Sequence, residues 1–354
     1  MDSLGWDALD VILVTGDTYI DSPYFGTAVI GKYLLSEGYR VGVIAQPMNA
    51  DDIASLGEPR LFWGVSSGCV DSMVSNYTPL RKKRNQDDLT PGGVNNRRPD
   101  RALVSYTSLI RSRFKNTVPV VLGGIDASLR RAAHYDCWDN KVRRSALFDS
   151  KADILVYGMG ERAITELAHA LASHEPWQNI RGICFASKDA PKGYEELPSY
   201  EECAADKDTF AAMFGTFYQN CDAVTAKGLV QKHGDRFLVQ NPPQPLLTPE
   251  ELDAVYELDY EYDAHPACKA QGEIRALDTI RFSVTTHRGC YGECNFCAIS
   301  AHQGRTIVSR TEDSIIREIE RYTKLPGFRG TIHDLGGPTA NMYGYDCEAK
   351  KKRG

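Results

Sequence analysis

Over the first half of the chain, short apolar runs alternate with segments whose apolar residues recur every three or four positions. The runs are "DVILVTG" (10–16), "RVGVIAQP" (40–47), "RLFWGVSSG" (60–68), "VPVVLGG" (118–124), "ADILVYGMGE" (152–161) and "GICFAS" (182–187). Each is short, rich in Val, Ile and Leu, and closed by turn residues, the pattern of a strand covered on both faces. Between them, "GTAVIGKYLLSEGY" (26–39) reads as a helix with Gly38 past its C-terminal end. Residues 100–114 read as a helix with Leu103, Leu109, Ile110 and Phe114 inward, and 126–136 and 162–174 read as two more. Strand and helix alternating at this spacing predict an α/β fold with a doubly wound parallel sheet.

From about Ser187 to Asp278 the pattern changes to polar, turn-rich sequence. Residues 208–224 look helical, "GLVQKHGDRFLVQ" (228–240) reads as a hairpin, and a Pro-rich stretch precedes a short acidic helix. A strand–helix pattern then restarts. "TIRFSVTTHRG" (279–289) is a strand, and 309–323 is a helix with Ser309 and Glu312 as a capping box and Ile315, Ile316, Ile319 and Tyr322 on one face. "GTIHDLGGPT" (330–339) is a second strand. The expected division is a Rossmann-like domain over 1–188, a linker subdomain over 189–274 and the start of a second α/β unit over 275–354.

Composition narrows the partners. The chain has 354 residues, 42% hydrophobic and 25% charged, with net charge −6, so no overall basic field draws nucleic acid or anionic membrane. The basic runs at 81–84 and 95–101 read as solvated loop. The first residues carry acidic side chains where a secretory signal is basic, and no run approaches the roughly 20 apolar residues of a membrane span. The expected location is cytoplasmic, where cysteines are free thiols or metal ligands.

Glycine turns at 123–124 and 158–160, with "TGD" at 15–17, close predicted strands at their carboxyl ends, where open α/β sheets bind ligands. Neither a dinucleotide fingerprint nor a P-loop is present. Asp126, His134 and Glu161 lie at these ends and read first as turn residues, with contact to substrate or to the later α/β unit as the sharper alternative.

Seven of the ten cysteines are scattered (Cys69, Cys137, Cys184, Cys203, Cys221, Cys268, Cys347) and read as small apolar residues. The other three, Cys290, Cys294 and Cys297, stand as C-x3-C-x2-C in "HRGCYGECNFCAISAHQGR" (287–305). Structural zinc takes four ligands, usually as two separated pairs; only one group is present, although His287 and His302 are close enough in sequence to complete a set. Three thiolates instead suit an iron–sulfur cluster that leaves one iron open, whereas a ferredoxin supplies a fourth cysteine.

This spacing, with Phe296 before the third cysteine, resembles the signature of radical S-adenosylmethionine (SAM) proteins. More narrowly, "GGIDASLRRAAHYDCWDNKVRRSALFDSKADILVYGMGE" (123–161), the cysteine segment and "DLGGPTANMYG" (334–344) resemble the YgiQ-type radical SAM family over nearly the whole chain. The resemblance implies a cobalamin-binding-like Rossmann domain followed by the beginning of a partial (β/α)6 barrel. It implies that Cys290, Cys294 and Cys297 ligate a 4Fe-4S cluster. SAM is then held by Phe296 against the adenine, by backbone near Gly292, Gly336, Gly337 and Pro338, and by Arg310. The implied reaction is reductive cleavage of SAM to a 5′-deoxyadenosyl radical, with flavodoxin or ferredoxin as electron donor and no assigned substrate.

The chain departs from the wider pattern in three places. Pro338 stands where the superfamily's Gly-Gly-Glu element has its acid, which removes a carboxylate role. The cobalt-ligating Asp-x-His-x-x-Gly loop is absent after the first strand, where "GDTYIDSPYFG" stands, so cobalamin is a less expected cofactor. Only about 78 residues from Arg275 onward serve a barrel that takes roughly 200 in the family, so the chain reads as part of a longer one, with Cys347 near its end. The alternatives are a cobalamin-dependent radical methyltransferase, a methylthiotransferase-like modification of RNA or protein, and, without catalysis, a metal- or cluster-binding module.

Overall fold

The computed structural model describes residues 4–292, 294–337 and 341–345. Pro338 and Cys347, both singled out in the sequence, lie outside them. Nine strands form one sheet: β1 (Val11–Thr15), β2 (Val41–Ala45), β3 (Phe62–Ser66), β4 (Val120–Gly123), β5 (Ile154–Val156), β6 (Ile183–Ser187), β7 (Glu195–Leu197), β8 (Leu229–His233) and β9 (Arg236–Gln240). Their order across the sheet is β7-β8-β9-β6-β5-β4-β3-β1-β2.

Strands β2, β1, β3, β4 and β5 are mutually parallel. All five residues of β1 are buried, as a strand covered on both faces requires. The order 2-1-3-4-5 places a topological switch point between β1 and β3, and ligands of such sheets sit outside the carboxyl ends there.

The helices include α1 (Gly26–Ser36), α2 (Ala102–Arg113), α3 (Gly124–Leu129) and α4 (Glu161–Ala172). Helix α4 buries Ala163, Ile164, Leu167 and Ala168, an i, i+1, i+4, i+5 stripe that seats it on the sheet. Gly38, with φ +89°, follows α1 as expected.

Three expectations change. The sixth strand runs antiparallel to β5, because the β8–β9 hairpin adds to the sheet through β9 and so belongs to the first unit rather than to a linker. A boundary at 188/189 therefore cuts the sheet between β6 and its partner β9. The helix expected over 126–136 ends at Leu129, and the chain re-forms as a strand pair, His134–Asp136 with Lys141–Arg143.

The later part holds α5 (Pro249–Tyr256), β10 (Ser283–Thr285), β11 (His287–Arg288), α6 (Ile299–Gln303), β12 (Val308–Ser309), α7 (Glu312–Tyr322) and β13 (Asp334–Gly336). Strands β10 and β13 pair in parallel with α7 between them, one β/α/β unit. Such a unit cannot bury its own faces. Phe282, Val284, Ile315 and Tyr322 instead join one cluster with Ile20 and Phe25 from the sheet unit, Leu252 and Tyr256 from α5, and Tyr262 after it. Helix α7 is capped by Thr311, whose hydroxyl accepts from the Ser314 amide, so the expected Ser309–Glu312 box does not form. Ile315 and Tyr322 face inward as expected, while Ile316 is half exposed.

Candidate functional site

The carboxyl ends of β1, β3, β4 and β5 face the carboxyl ends of β10 and β13 across a cavity of about 520 Å³. Its walls include Asp17, Gly123, Glu161, Arg288, His302 and Gly336. The two halves meet there because each ends its strands in turns with little side chain, Gly123-Gly124 and Gly158-Met159-Gly160 on one side and Gly336-Gly337 on the other.

The cysteine loop leaves β11 beside this cavity. Gly289 has φ +90°, and a Cβ there would overlap the Thr306 carbonyl, so glycine alone fits the turn into Cys290. The Cys290 amide donates to the Gly304 carbonyl at 3.1 Å and the Gly289 amide to Gln303 Oε1 at 3.1 Å, which ties the loop to the end of α6. Cys290 is buried, Cys294 exposed and Cys297 intermediate. A Cβ on Gly292 would lie 3.3 Å from Cys290 Sγ and 3.7 Å from Cys294 Sγ, so these two thiols flank one point. The Cys297 amide donates to the Cys294 carbonyl at 2.9 Å. Among the described residues no three Cys, His, Asp or Glu side chains are drawn together as a metal centre. The three thiols share one loop without converging.

The other sequence candidates are placed unevenly. Phe296 is 93% exposed on the loop. Gly337 is hemmed by the His287 ring, which a Cβ at that position would overlap. His287 is fully buried, its Nδ1 is 2.9 Å from Thr286 Oγ1, and its Nε2 has no hydrogen-bond partner among the described residues. Burial lowers the pKa of His287 below the usual histidine value. Arg310, read from the sequence as a SAM contact, lies inside the fold. It is buried, pairs with Glu318, donates to the Thr285 carbonyl at 3.0 Å and to Ser314 Oγ at 2.8 Å, and lies 4.5 Å over the Tyr256 ring. Its guanidinium holds α7 to β10.

Asp126 is buried against Arg130, and burial, with Asp71 nearby, pushes its carboxyl up to about 7 although Arg130 opposes this. His134 is pushed down to about 4 by burial and by Arg130.

A connection through Arg288, which the sequence did not single out, joins the two sides. Arg288 Nη1 pairs with Glu161 Oε1 at 2.5 Å, and its Nε donates to the Tyr256 hydroxyl at 3.2 Å. Both members of the ion pair are buried. Glu161 opens α4, so this clasp runs from the sheet unit to a residue two positions before Cys290. His302 adds a second tie, with Nδ1 2.9 Å from Ser128 Oγ, which also accepts from the Gly158 amide at 3.0 Å. Burial pushes His302 down to about 4, so it is neutral near pH 7. At the end of β1, Asp17 is locked by Arg98 and by the Cys69 amide. Burial raises its carboxyl despite Arg98.

Comparison with known proteins gives three kinds of match. Residues 1–283 match the family model described as Radical SAM N-terminal, which ends before the cysteine segment. A UPF0313 protein of Fusobacterium nucleatum is 56% identical across 100% of this chain and 63% of its own length. UPF0313 proteins of Thermotoga petrophila and Clostridium botulinum are 50% and 48% identical, over 63% and 55% of their own lengths. The chain thus spans under two thirds of these relatives. Among solved structures, the radical SAM methyltransferase TsrM of Kitasatospora setae, with cobalamin and a 4Fe-4S cluster bound, aligns at TM-score 0.48 and 16% identity, over 94% of this chain and 48% of TsrM. The cobalamin-dependent SAM radical enzyme OxsB aligns at 0.41 and 13%, over 89% of this chain and 32% of OxsB.

Proposed function

The chain belongs to the UPF0313 family of radical SAM proteins, and on that premise we propose that it holds a 4Fe-4S cluster and binds SAM for reductive cleavage to a 5′-deoxyadenosyl radical. The observation that supports this is the loop of Cys290, Cys294 and Cys297. It opens at a strand end, beside a cavity that faces the carboxyl edge of a doubly wound sheet.

The donor set suits the group. Three cysteine thiolates, soft sulfur donors on one short loop, favour iron–sulfur over hard cations. A cluster bound there supplies the electron that breaks the sulfonium C–S bond, and a flavodoxin or ferredoxin is its expected source. Cys290, Cys294 and Cys297 are its ligands. Gly337 has no side chain because the His287 ring fills that space, and the other side of its backbone would meet the methionine portion of SAM. Phe296, exposed on the loop, offers a flat apolar face to the adenine. Gly292 leaves room between two of the thiols. Arg310 serves by holding β10 and α7 in register rather than by touching SAM.

The test is iron and sulfide content after anaerobic reconstitution, with electron paramagnetic resonance of the reduced protein with and without SAM. The expected result is about four irons per chain, lost in Cys290→Ala, and a signal that shifts with SAM. Zinc in place of iron, or a signal indifferent to SAM, would overturn the reading.

A further inference from the structure

The cavity between the two carboxyl edges is built to be filled. Its floor is apolar, made by Leu13 and Val65 from the sheet, Val121, Leu122 and Val156 beside them, and Ile164 from α4. About 520 Å³ falls within the roughly 300–1,000 Å³ of pockets that enclose drug-sized ligands.

Gly123, on the wall, gives the sharper sign. Its φ of −153° is extended backbone that any residue adopts, and a Cβ built on it would meet nothing within 4 Å. Gly124 and Gly68, also on the wall, have φ of +84° and +110°, so their backbone explains them. Gly123 is explained neither by backbone nor by crowding. What its missing side chain preserves is open space over the end of β4, where a ligand can approach the strand closely.

Charge sets the chemistry. Asp17, Glu161 and Asp334 line the cavity with Arg288. Asp17 is already paired with Arg98 behind the wall, so Glu161 and Asp334 set the charge a ligand meets. Arg288 is already committed to Glu161 and Tyr256. The second carboxylate oxygen of Glu161 has no hydrogen-bond partner among the described residues. A buried acceptor of this kind calls for a donor. His302, neutral near pH 7, adds no positive charge. The wall therefore favours N–H or cationic groups and opposes phosphates and carboxylates.

We propose that this cavity is the substrate pocket, and that it takes a free, drug-sized, mainly apolar molecule with a hydrogen-bond-donating nitrogen at the Glu161 end. This rests on the radical SAM reading above, since Arg288 and Gly336 put the pocket against both the cysteine loop and the SAM-facing turn.

The test uses a matched pair of probes on one ring, tryptamine and indole-3-propionate, titrated calorimetrically into the 354-residue chain at pH 7. The amine should bind and the acid should not. Gly123→Leu, which fills the space without backbone strain, should weaken amine binding at least tenfold, and so should Glu161→Gln, which presents a competing amide donor. Thermal melts confirm folding. If Gly123→Leu does not fold, Gly26→Leu on the same wall, where a Cβ also meets nothing within 4 Å, takes its place. Acid binding as tight as the amine, amine binding unchanged in the filled variant, or displacement of the amine by SAM alone would each overturn the assignment. Iron loading is read in the same preparations. A loaded cluster with no amine binding defeats the pocket alone, whereas amine binding in a protein that takes no iron defeats the radical reading.

Discussion

Gly337 shows how one missing methyl shapes the site. Adding it in Gly337→Ala drives Cβ into the His287 ring. Overpacking of this kind costs about 1–3 kcal/mol, and urea unfolding of the variant should show it. His287→Ala in the same chain should recover most of that loss, and a double variant no better than the single would show that the strain lies elsewhere. His302 makes a different prediction. The folded protein holds it neutral down to about pH 4, whereas the unfolded chain protonates it near 6.5. The unfolded state therefore binds more protons in that window, and stability falls as the pH drops through it. His302→Asn should flatten the melting temperature between pH 6.5 and 4 relative to the parent. The residues legible in the sequence are those whose message is local. The cysteine spacing is one; the burial of Arg310 is not, because Asp253 and Glu318 reach it only after folding.

Among the elements, the clasp between α4 and β11 carries the sharpest consequence. Arg288→Met leaves Glu161 buried without its cation, a loss of about 3–5 kcal/mol for a pair of this kind. Pairing it with Glu161→Gln should return much of that stability, measured by urea unfolding of all three variants; strictly additive losses would mean the two side chains act independently. Sequence pattern reads long strands and helices well here. β1 to β5 and α1, α2 and α4 fall where the apolar runs and stripes put them. It fails where pairing is decided by distant chain. The direction of β6 is set by β9, about 50 residues on, and the six-residue α3 offers too few turns to show a period. Arg288 and Glu161 lie 127 positions apart, and no local pattern announces that they meet.

For the whole molecule, the sheet unit is longer than the sequence division implies. Its two core clusters draw on residues from Leu9 to Leu238. A fragment of residues 1–188 removes β7, β8 and β9 and leaves β6 unpaired on one side. It should lack a cooperative melt, whereas residues 1–247 should give one by circular dichroism; the reverse result would place the boundary back at 188. The Glu161–Arg288 pair has one more consequence, and it concerns time. Arg288 stands two residues ahead of Cys290, so the loop cannot swing free of the sheet unit while that pair is closed. Amides of residues 289–292 and 294–304 and of the first turn of α4 should then exchange with deuterium on a shared clock, and Arg288→Met should set the two clocks apart.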